Sequence, residues 1–195
     1  MRYSHMFAAG LLTLISSGPA QSQGPGPFGV MMGTPISKYS SCEKHTQQLG
    51  WYVCTSLPKS HASFEMYYIQ AHPKIGVCFV KAIGKDINRD ARGDKTKAEI
   101  KRLAAQIEQT SGPHTRIRDS LSARSDLKAA DQWLAGVDKD ERTFSYDWAD
   151  GNYPNDIESI HVFARATDGQ TGYATAEFYF KNEKQCDAEL DKAAF

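Results

Sequence analysis

Apolar and polar residues alternate along several short stretches of this chain, which is the pattern of β-strands with one buried face. Aromatic and β-branched residues, which favour strands, are frequent in the same stretches. Short connections at 72–74 and 168–171 are expected to join two pairs of these strands into antiparallel hairpins. The strands predicted in this way are 51–57, 64–71, 75–87, 143–148, 157–166 and 172–180.

Between the strands the apolar spacing changes to that of helices. In the longest such stretch the apolar residues fall on one helical face, and Thr96 with Glu99 has the spacing of a capping box. Gly112 and Pro113 end this helix. The helices predicted from these signals are 35–44, 96–110, 125–137 and 183–192.

The last strand indicates the fold class, because its two faces differ. The small and aromatic residues on one face are Ala174, Ala176, Phe178 and Phe180. The polar residues on the other face are Thr175, Glu177 and Lys181. One face therefore covers a core and the other meets solvent, as antiparallel sheets commonly do. We expect an α+β fold in which helices lie on one face of a mostly antiparallel sheet.

The two parts of the chain, about 28–112 and 113–195, have a similar order of predicted elements. Their hairpins also share letters, since Phe64–Glu65 and Ile157–Glu158 begin them and Gly76 and Gly172 begin the return strands. An internal duplication into two tandem helix–three-strand units would explain this similarity. Chance similarity between two amphipathic hairpins would explain it equally well, and the sequence leaves both explanations open.

The first residues have the features of a secretory signal peptide. Residues 7–15 are apolar, and the small residues Gly18 and Ala20 occupy the positions that signal peptidase reads. The apolar run is too short for a membrane span, which needs about 20 residues. The alternative is a buried N-terminal helix. We predict a signal peptide at 1–20, a flexible linker at 21–27 and a single compact domain at 28–195, in a periplasmic or secreted protein.

Composition and charge narrow the classes of partner. The 195 residues include 23 basic and 23 acidic side chains, so the formal charge is zero. This balance argues against nucleic-acid binding by excess positive charge and against a polybasic membrane-surface protein. No stretch after the N-terminal segment is long and apolar enough to be an integral membrane segment.

An even number of cysteines in an exported protein favours disulfide bonds. The chain has four, which allow three pairings. Sequence does not choose among them rigorously; we prefer Cys42 with Cys54 and Cys78 with Cys186. Neither paired CxxC motifs nor HxH or HExxH spacings are present, so no metal site is predicted. The same holds for cofactors, because no P-loop or G-x-G-x-x-G motif occurs.

The candidate binding residues lie in a loop and on the strands that follow it. The loop 58–61 carries Lys59 and His61, and the next strand carries Glu65 and Tyr67. Binding residues concentrate on loops that a rigid scaffold holds, but an ordinary polar turn would have the same composition. Trp148 and Tyr173 add strand aromatics, which either form a contact surface or belong to the core.

Function is less constrained than fold. No catalytic residue is predicted, because a serine–histidine site would need an orienting group and an oxyanion site that the sequence does not show. We expect a non-enzymatic binding protein, for example an inhibitor or immunity-type partner of another envelope or secreted protein. A binder of small ligands or cell-wall fragments is the alternative, and an uncatalogued hydrolase is a third hypothesis.

Several segments resemble those of a family of uncharacterised exported bacterial proteins. They are PFGVMMGTP at 27–35, PKSHASFEMY at 58–67, GVCFVKAIGKDI at 76–87, ERTFSYDW at 141–148, NDIESI at 155–160 and GYATAEFYFKN at 172–182. This resemblance implies export and a shared fold, and it implies no activity. A looser, topological similarity is to the β-lactamase-inhibitor-protein fold, which also has tandem helix–strand units. Likeness at the level of the fold does not assign a function.

Overall fold

Eight strands form a single antiparallel sheet in the computed structural model, which describes residues 26–193. The predicted signal peptide at 1–20 lies outside the described residues, and of the predicted linker only Gly26 and Pro27 are described. The strands are β1 (Cys42–Lys44), β2 (Trp51–Cys54), β3 (Phe64–His72), β4 (Gly76–Gly84), β5 (Arg116–Leu121), β6 (Arg142–Trp148), β7 (Ile157–Ala166) and β8 (Gly172–Phe180). The helices are α1 (Asp94–Ser111), α2 (Trp133–Asp138) and α3 (Glu183–Ala193). The predicted α+β class is confirmed.

The strand order is β1-β2-β3-β4-β8-β7-β6-β5. Each half of the sheet is thus a four-stranded meander, and the two meanders meet where β4 pairs with β8. In this central pair Lys81 lies directly opposite Glu177. Both predicted hairpins, β3–β4 and β7–β8, are present.

One face of the sheet, which we call the packed face, carries the main hydrophobic core. Ile100 and Leu103 of α1 and Leu134 of α2 are buried against it. Over β3 and β8 the segment before β1 covers this face instead, since the Phe28 ring lies 5.0 Å from Tyr67 and 5.6 Å from Phe178. Helices therefore cover the second meander and an irregular segment covers much of the first.

The helix α3 lies against β3 and β4 on the opposite side of the sheet. A β-bulge explains how it is attached there. Gln70 pairs with Phe79 while Ala71 pairs with Val77, so that Cys78 is an extra residue in β4. Cys78 packs with Cys186 and Leu190 of α3 in a small cluster, whereas Val77 belongs to the main core. We call this side of the sheet the open face.

Both preferred disulfides are present, Cys42–Cys54 and Cys78–Cys186. The first joins directly opposed residues of β1 and β2, and the second attaches α3 to β4. Two disulfides indicate that the protein is found in an oxidising compartment. Among the described residues, no helix has the length and apolar character needed to cross a membrane.

Two predicted helices are wrong in most of their length. The stretch 35–44 forms only a 3₁₀ turn at Ile36–Lys38, followed by β1. Its end becomes a strand because Cys42 is bonded to Cys54 in the neighbouring strand. The stretch 125–137 begins as a loop, where Ser125 donates to Glu141 at 2.5 Å, and becomes helical only at Ala130.

Strand β5 was not predicted, and two local predictions also differ from the structure. β5 is an edge strand with exposed, charged residues, so its sequence lacks a clear apolar alternation. Thr96 and Glu99 form no capping box; the carboxylate of Asp90 accepts hydrogen bonds from the Lys95 and Thr96 amides instead. Thr175, expected to meet solvent, is fully buried, because Ile83 and Phe163 flank it in the middle of the sheet.

Candidate functional site

The six candidate binding residues do not come together in the structure. Tyr67 and Trp148 are buried on the packed face, with 1% and 0% of their surface exposed. The Trp148 indole N–H donates to the carbonyl of Gly112 at 2.9 Å, which satisfies its polar atom inside the core. Both residues therefore support the fold and present no surface to a partner.

The loop 58–61 has mainly structural contacts. The hydroxyl of Tyr67 accepts a hydrogen bond from the His61 amide at 2.9 Å, and the Lys59 amide donates to the carbonyl of Phe28 at 2.9 Å. His61 lines an apolar cavity of about 260 Å³ between α1 and the N-terminal segment. The exposed Glu65 does not line this cavity, so the arrangement that the hydrolase hypothesis requires is not formed by His61 and Glu65.

Tyr173 lies on the open face, where the structure concentrates polar chemistry. A row of directly opposed residues runs from β4 across the second meander there: Lys81, Glu177, His161, Asp147 and Arg116. Lys81 Nζ lies 3.2 Å from a Glu177 oxygen, and His161 Nδ1 lies 3.1 Å from Asp147 Oδ1. Every second residue of a strand lies on the same face, which is why these residues share one surface.

Asp147 organises one end of this row. Its side chain is only 3% exposed, its Oδ2 accepts a hydrogen bond from Arg116 Nε at 3.2 Å, and Arg118 Nε forms an ion pair with the same oxygen at 3.0 Å. Burial raises the pKa of Asp147, but the hydrogen bonds from His161 and Arg116 and the positive charge of Arg118 outweigh burial, so that the pKa is below its ordinary value. At neutral pH Asp147 is therefore a charged anchor that orients its three partners.

Two depressions lie side by side on the open face, with Glu177 and Tyr179 in the wall between them. The one over the second meander has a volume of about 380 Å³, and we call it the arginine depression. Its lining includes Arg118, Arg142, Arg165, Asp140, Asp147 and His161. Basic and acidic groups balance there, and Arg165 is paired with Asp140 at 3.0 Å.

The other depression, which we call the aromatic depression, has a volume of about 670 Å³. Its walls include Trp51, Tyr68, Phe79, Tyr173 and Tyr179. The Phe79 ring lies 5.4 Å from Trp51 and 4.7 Å from Tyr179, so that the three rings form a continuous edge-to-face series.

Carboxylates from α3 line the end of the aromatic depression. Glu183 and Asp187 lie one helical turn apart. Asp187 Oδ1 accepts a hydrogen bond from the side-chain amide Nε2 of Gln70 at 2.7 Å. Burial and the neighbouring Asp187 carboxylate raise the pKa of Glu183. Burial also raises the pKa of the Tyr179 hydroxyl, and the carboxylates of Glu177, Glu183 and Asp187 raise it further.

Sequence reasoning missed Asp147, His161 and the α3 carboxylates as members of one surface. The alternation within each strand showed which residues share a face, but not which strands are neighbours. The pairing of β4 with β8 and the bulge at Cys78 supply that information, and neither has a local signal. Within residues 26–193, no group of three or more His, Cys, Asp or Glu side chains is placed to hold a metal ion.

Comparison of the chain with protein-family models, with curated proteins and with solved structures finds no match. The open face and its two depressions are therefore the basis for assigning a function.

Proposed function

We propose that this protein is an exported, non-enzymatic binding protein that recognises another envelope or secreted protein through its open face. An inhibitor or immunity-type role would fit this mode of action. The resemblance to exported bacterial proteins and the apolar N-terminal segment support export, together with the two disulfides.

The observation that carries the proposal is the composition of the open face. Tyrosine, tryptophan and arginine are the residues that protein interfaces favour, and the walls of the two depressions contain three arginines, three tyrosines and one tryptophan. The β-sheet holds these side chains on a rigid backbone, so that little ordering is needed when a partner binds. The charged row through Lys81, His161 and Asp147 adds directional contacts, which favour selectivity.

A binder of small ligands or cell-wall fragments is the second candidate function. The volume of the aromatic depression, about 670 Å³, is within the range of small-molecule sites, about 300–1,000 Å³. Aromatic walls with a few polar groups also suit sugar-containing or peptide fragments.

Site-specific photocrosslinking tests the proposal. A photoreactive phenylalanine is placed at Phe163 or Tyr173 on the open face, and at Gln109 on the exposed side of α1 as the matched control. The full chain is then incubated with exported proteins of the source cell and irradiated. We expect Phe163 and Tyr173 to crosslink to the same discrete protein, with no such product from Gln109.

Absence of a product at both open-face positions contradicts the proposal, and so does an equal product from Gln109. If cell-wall fragments raise the melting temperature of the protein and no protein is crosslinked, the second candidate replaces the first. Both experiments use the same chain, so the two candidates are compared directly.

A further inference from the structure

We propose that the aromatic depression accepts a basic side chain of the protein partner, arginine in preference to lysine. This inference rests on the proposed function and specifies the chemistry of one part of the open face.

The charge of the aromatic depression is negative. Three carboxylates line it, Glu177, Glu183 and Asp187, against the single cation Lys81. Lys81 is already paired with Glu177 at 3.2 Å. Within residues 26–193, neither Glu183 nor Asp187 forms an ion pair within 4.0 Å. The two carboxylates are thus left to repel each other at the edge of an aromatic surface.

The position of Glu183 in the first turn of α3 has an ordinary explanation, because an acidic residue there offsets the positive end of the helix dipole. Asp187 lies one turn further along, where the dipole effect has faded, and its carboxylate accepts a hydrogen bond from the neutral Gln70 side chain but has no cation beside it among the described residues. Like charges at i and i+4 destabilise a helix. A cation placed between them would reverse this unfavourable interaction.

The aromatic walls select the type of cation. Tryptophan, tyrosine and phenylalanine rings attract cations through the negative charge of their faces, at distances up to about 6 Å from the ring centre. Trp51, Phe79 and Tyr179 provide adjacent rings beside the carboxylates. A guanidinium group is planar, stacks on such rings and is more weakly hydrated than an ammonium group. It also forms bidentate hydrogen bonds with carboxylates. Arginine therefore fits the depression better than lysine.

Binding of a small arginine compound to the full chain tests the inference. The probes are Nα-acetylarginine methylamide and its uncharged counterpart, Nα-acetylcitrulline methylamide, with Nα-acetyllysine methylamide as a third probe. Chemical-shift changes of the Trp51 indole report on binding, and Trp133 and Trp148 are buried internal references. We expect the arginine probe to bind at least about tenfold more tightly than the citrulline probe, with lysine between them.

A double variant, Glu183→Gln with Asp187→Asn, should bind the arginine probe at least about tenfold more weakly than the original chain does. Its affinity for this probe should then equal the affinity for the citrulline probe. The matched control is Glu189→Gln with Asp191→Asn, which removes the same charge from the same helix outside the depression. This control should bind the probe like the original chain. Equal binding of arginine and citrulline overturns the inference, as does equal weakening in the two double variants.

The crosslinked partner separates this inference from the proposed function. If the partner binds the original chain and the Glu183/Asp187 double variant equally well, the depression does not hold a partner arginine and the inference is overturned, while the proposed function stands. If no partner is found and the arginine probe still binds at Trp51, the proposed function is overturned and the cation preference of the depression is supported.

Discussion

The two halves of the open face occupy equivalent backbone positions but differ in chemistry. Counted outward from the central strand pair, one row of opposed residues in the first meander is Lys81, Tyr68, Val53 and Glu43. The corresponding row in the second meander is Glu177, His161, Asp147 and Arg116. At each step the side chain changes in charge or polarity. The two meanders have the same geometry, but the open face is acidic and aromatic over the first meander and ion-paired over the second.

What covers the open face also differs between the halves. The helix α3 lies on the first meander, where the Cys78–Cys186 disulfide attaches it, and it supplies two of the three carboxylates of the aromatic depression. In the second meander the buried carboxylate is part of the sheet itself, at Asp147. Negative charge therefore depends on an added helix in one half and on a strand residue in the other. This difference predicts that the halves will respond differently to substitution.

The largest effect is expected from removing the disulfide that attaches α3. Cys78→Ala with Cys186→Ala opens a loop of 108 residues and should lower the free energy of unfolding by about 4–5 kcal/mol, because longer loops gain more chain entropy when a crosslink is lost. The change is measured by urea denaturation. The same variant should lose binding of the arginine probe, since the α3 carboxylates are no longer held beside Trp51.

Cys42→Ala with Cys54→Ala is the matched control. Its loop spans only 12 residues, and the expected loss is about 3 kcal/mol. This control should leave the arginine probe bound. If both double variants lose probe binding together, α3 is not the element that distinguishes the first half of the open face.

The sequence predicted the interior of the fold better than its edges. Strands β3, β7 and β8 have strong alternation of apolar and polar residues, and their predicted bounds agree closely with the structure. The edge strands β1 and β5 are short or highly charged, so their positions depend on neighbours that the sequence does not identify. The two disulfide pairs were preferred correctly, although counting cysteines alone left three pairings.

The candidate site was less predictable, because it depends on contacts between residues far apart in the chain. Tyr67 and Trp148 were candidates for their residue type, yet both lie on the packed face. Asp147 has the same alternation signal as any polar strand residue, and only the pairing of β6 with β5 and β7 brings two arginines and His161 to it. The internal duplication stays a prediction, although the strand order is mirrored about the central pair. Lys81 also lies as far from Gly76 as Glu177 lies from Gly172.

A smaller effect is expected from Asp147→Asn, which removes the charge from the second half while keeping the shape of the side chain. Arg116, Arg118 and His161 lose a charged acceptor, so the free energy of unfolding at pH 7 should fall by about 1–3 kcal/mol. Because the folded-state pKa of Asp147 is below its unfolded value, its stabilising effect is complete above that unfolded value, about pH 4. The effect is lost as the pH falls through the folded-state pKa.

The measurement is urea denaturation of the original chain and the variant between neutral and acidic pH, where the difference between them should shrink below about pH 4. Val53→Asn changes the equivalent position in the first half, where the valine side chain forms no ion pair. Its effect on the free energy of unfolding should not depend on pH in this way. If the free energy of unfolding differs between the original chain and Asp147→Asn by the same amount at every pH, Asp147 is not the charged anchor.

The smallest effect is expected from Glu183→Gln in the first half, and its sign is opposite. Burial and the Asp187 carboxylate raise the folded-state pKa of Glu183. Its contribution to the free energy of unfolding is therefore fully favourable below the unfolded-state pKa, about 4.3, and is lost as the pH rises through the folded-state pKa. Glutamine avoids this loss, so the variant should be more stable than the original chain at pH 7, by less than about 1 kcal/mol because solvent screens the partly exposed charge.

Glu189→Gln is the control: Lys192 lies 2.7 Å from the Glu189 carboxylate and lowers its pKa, so this variant should gain no stability at pH 7. Denaturation curves at pH 4 and pH 7 check both expectations. A loss of stability for Glu183→Gln at pH 7 would mean that the α3 carboxylates do not repel, and the two halves of the open face would then be stabilised by charge in the same way.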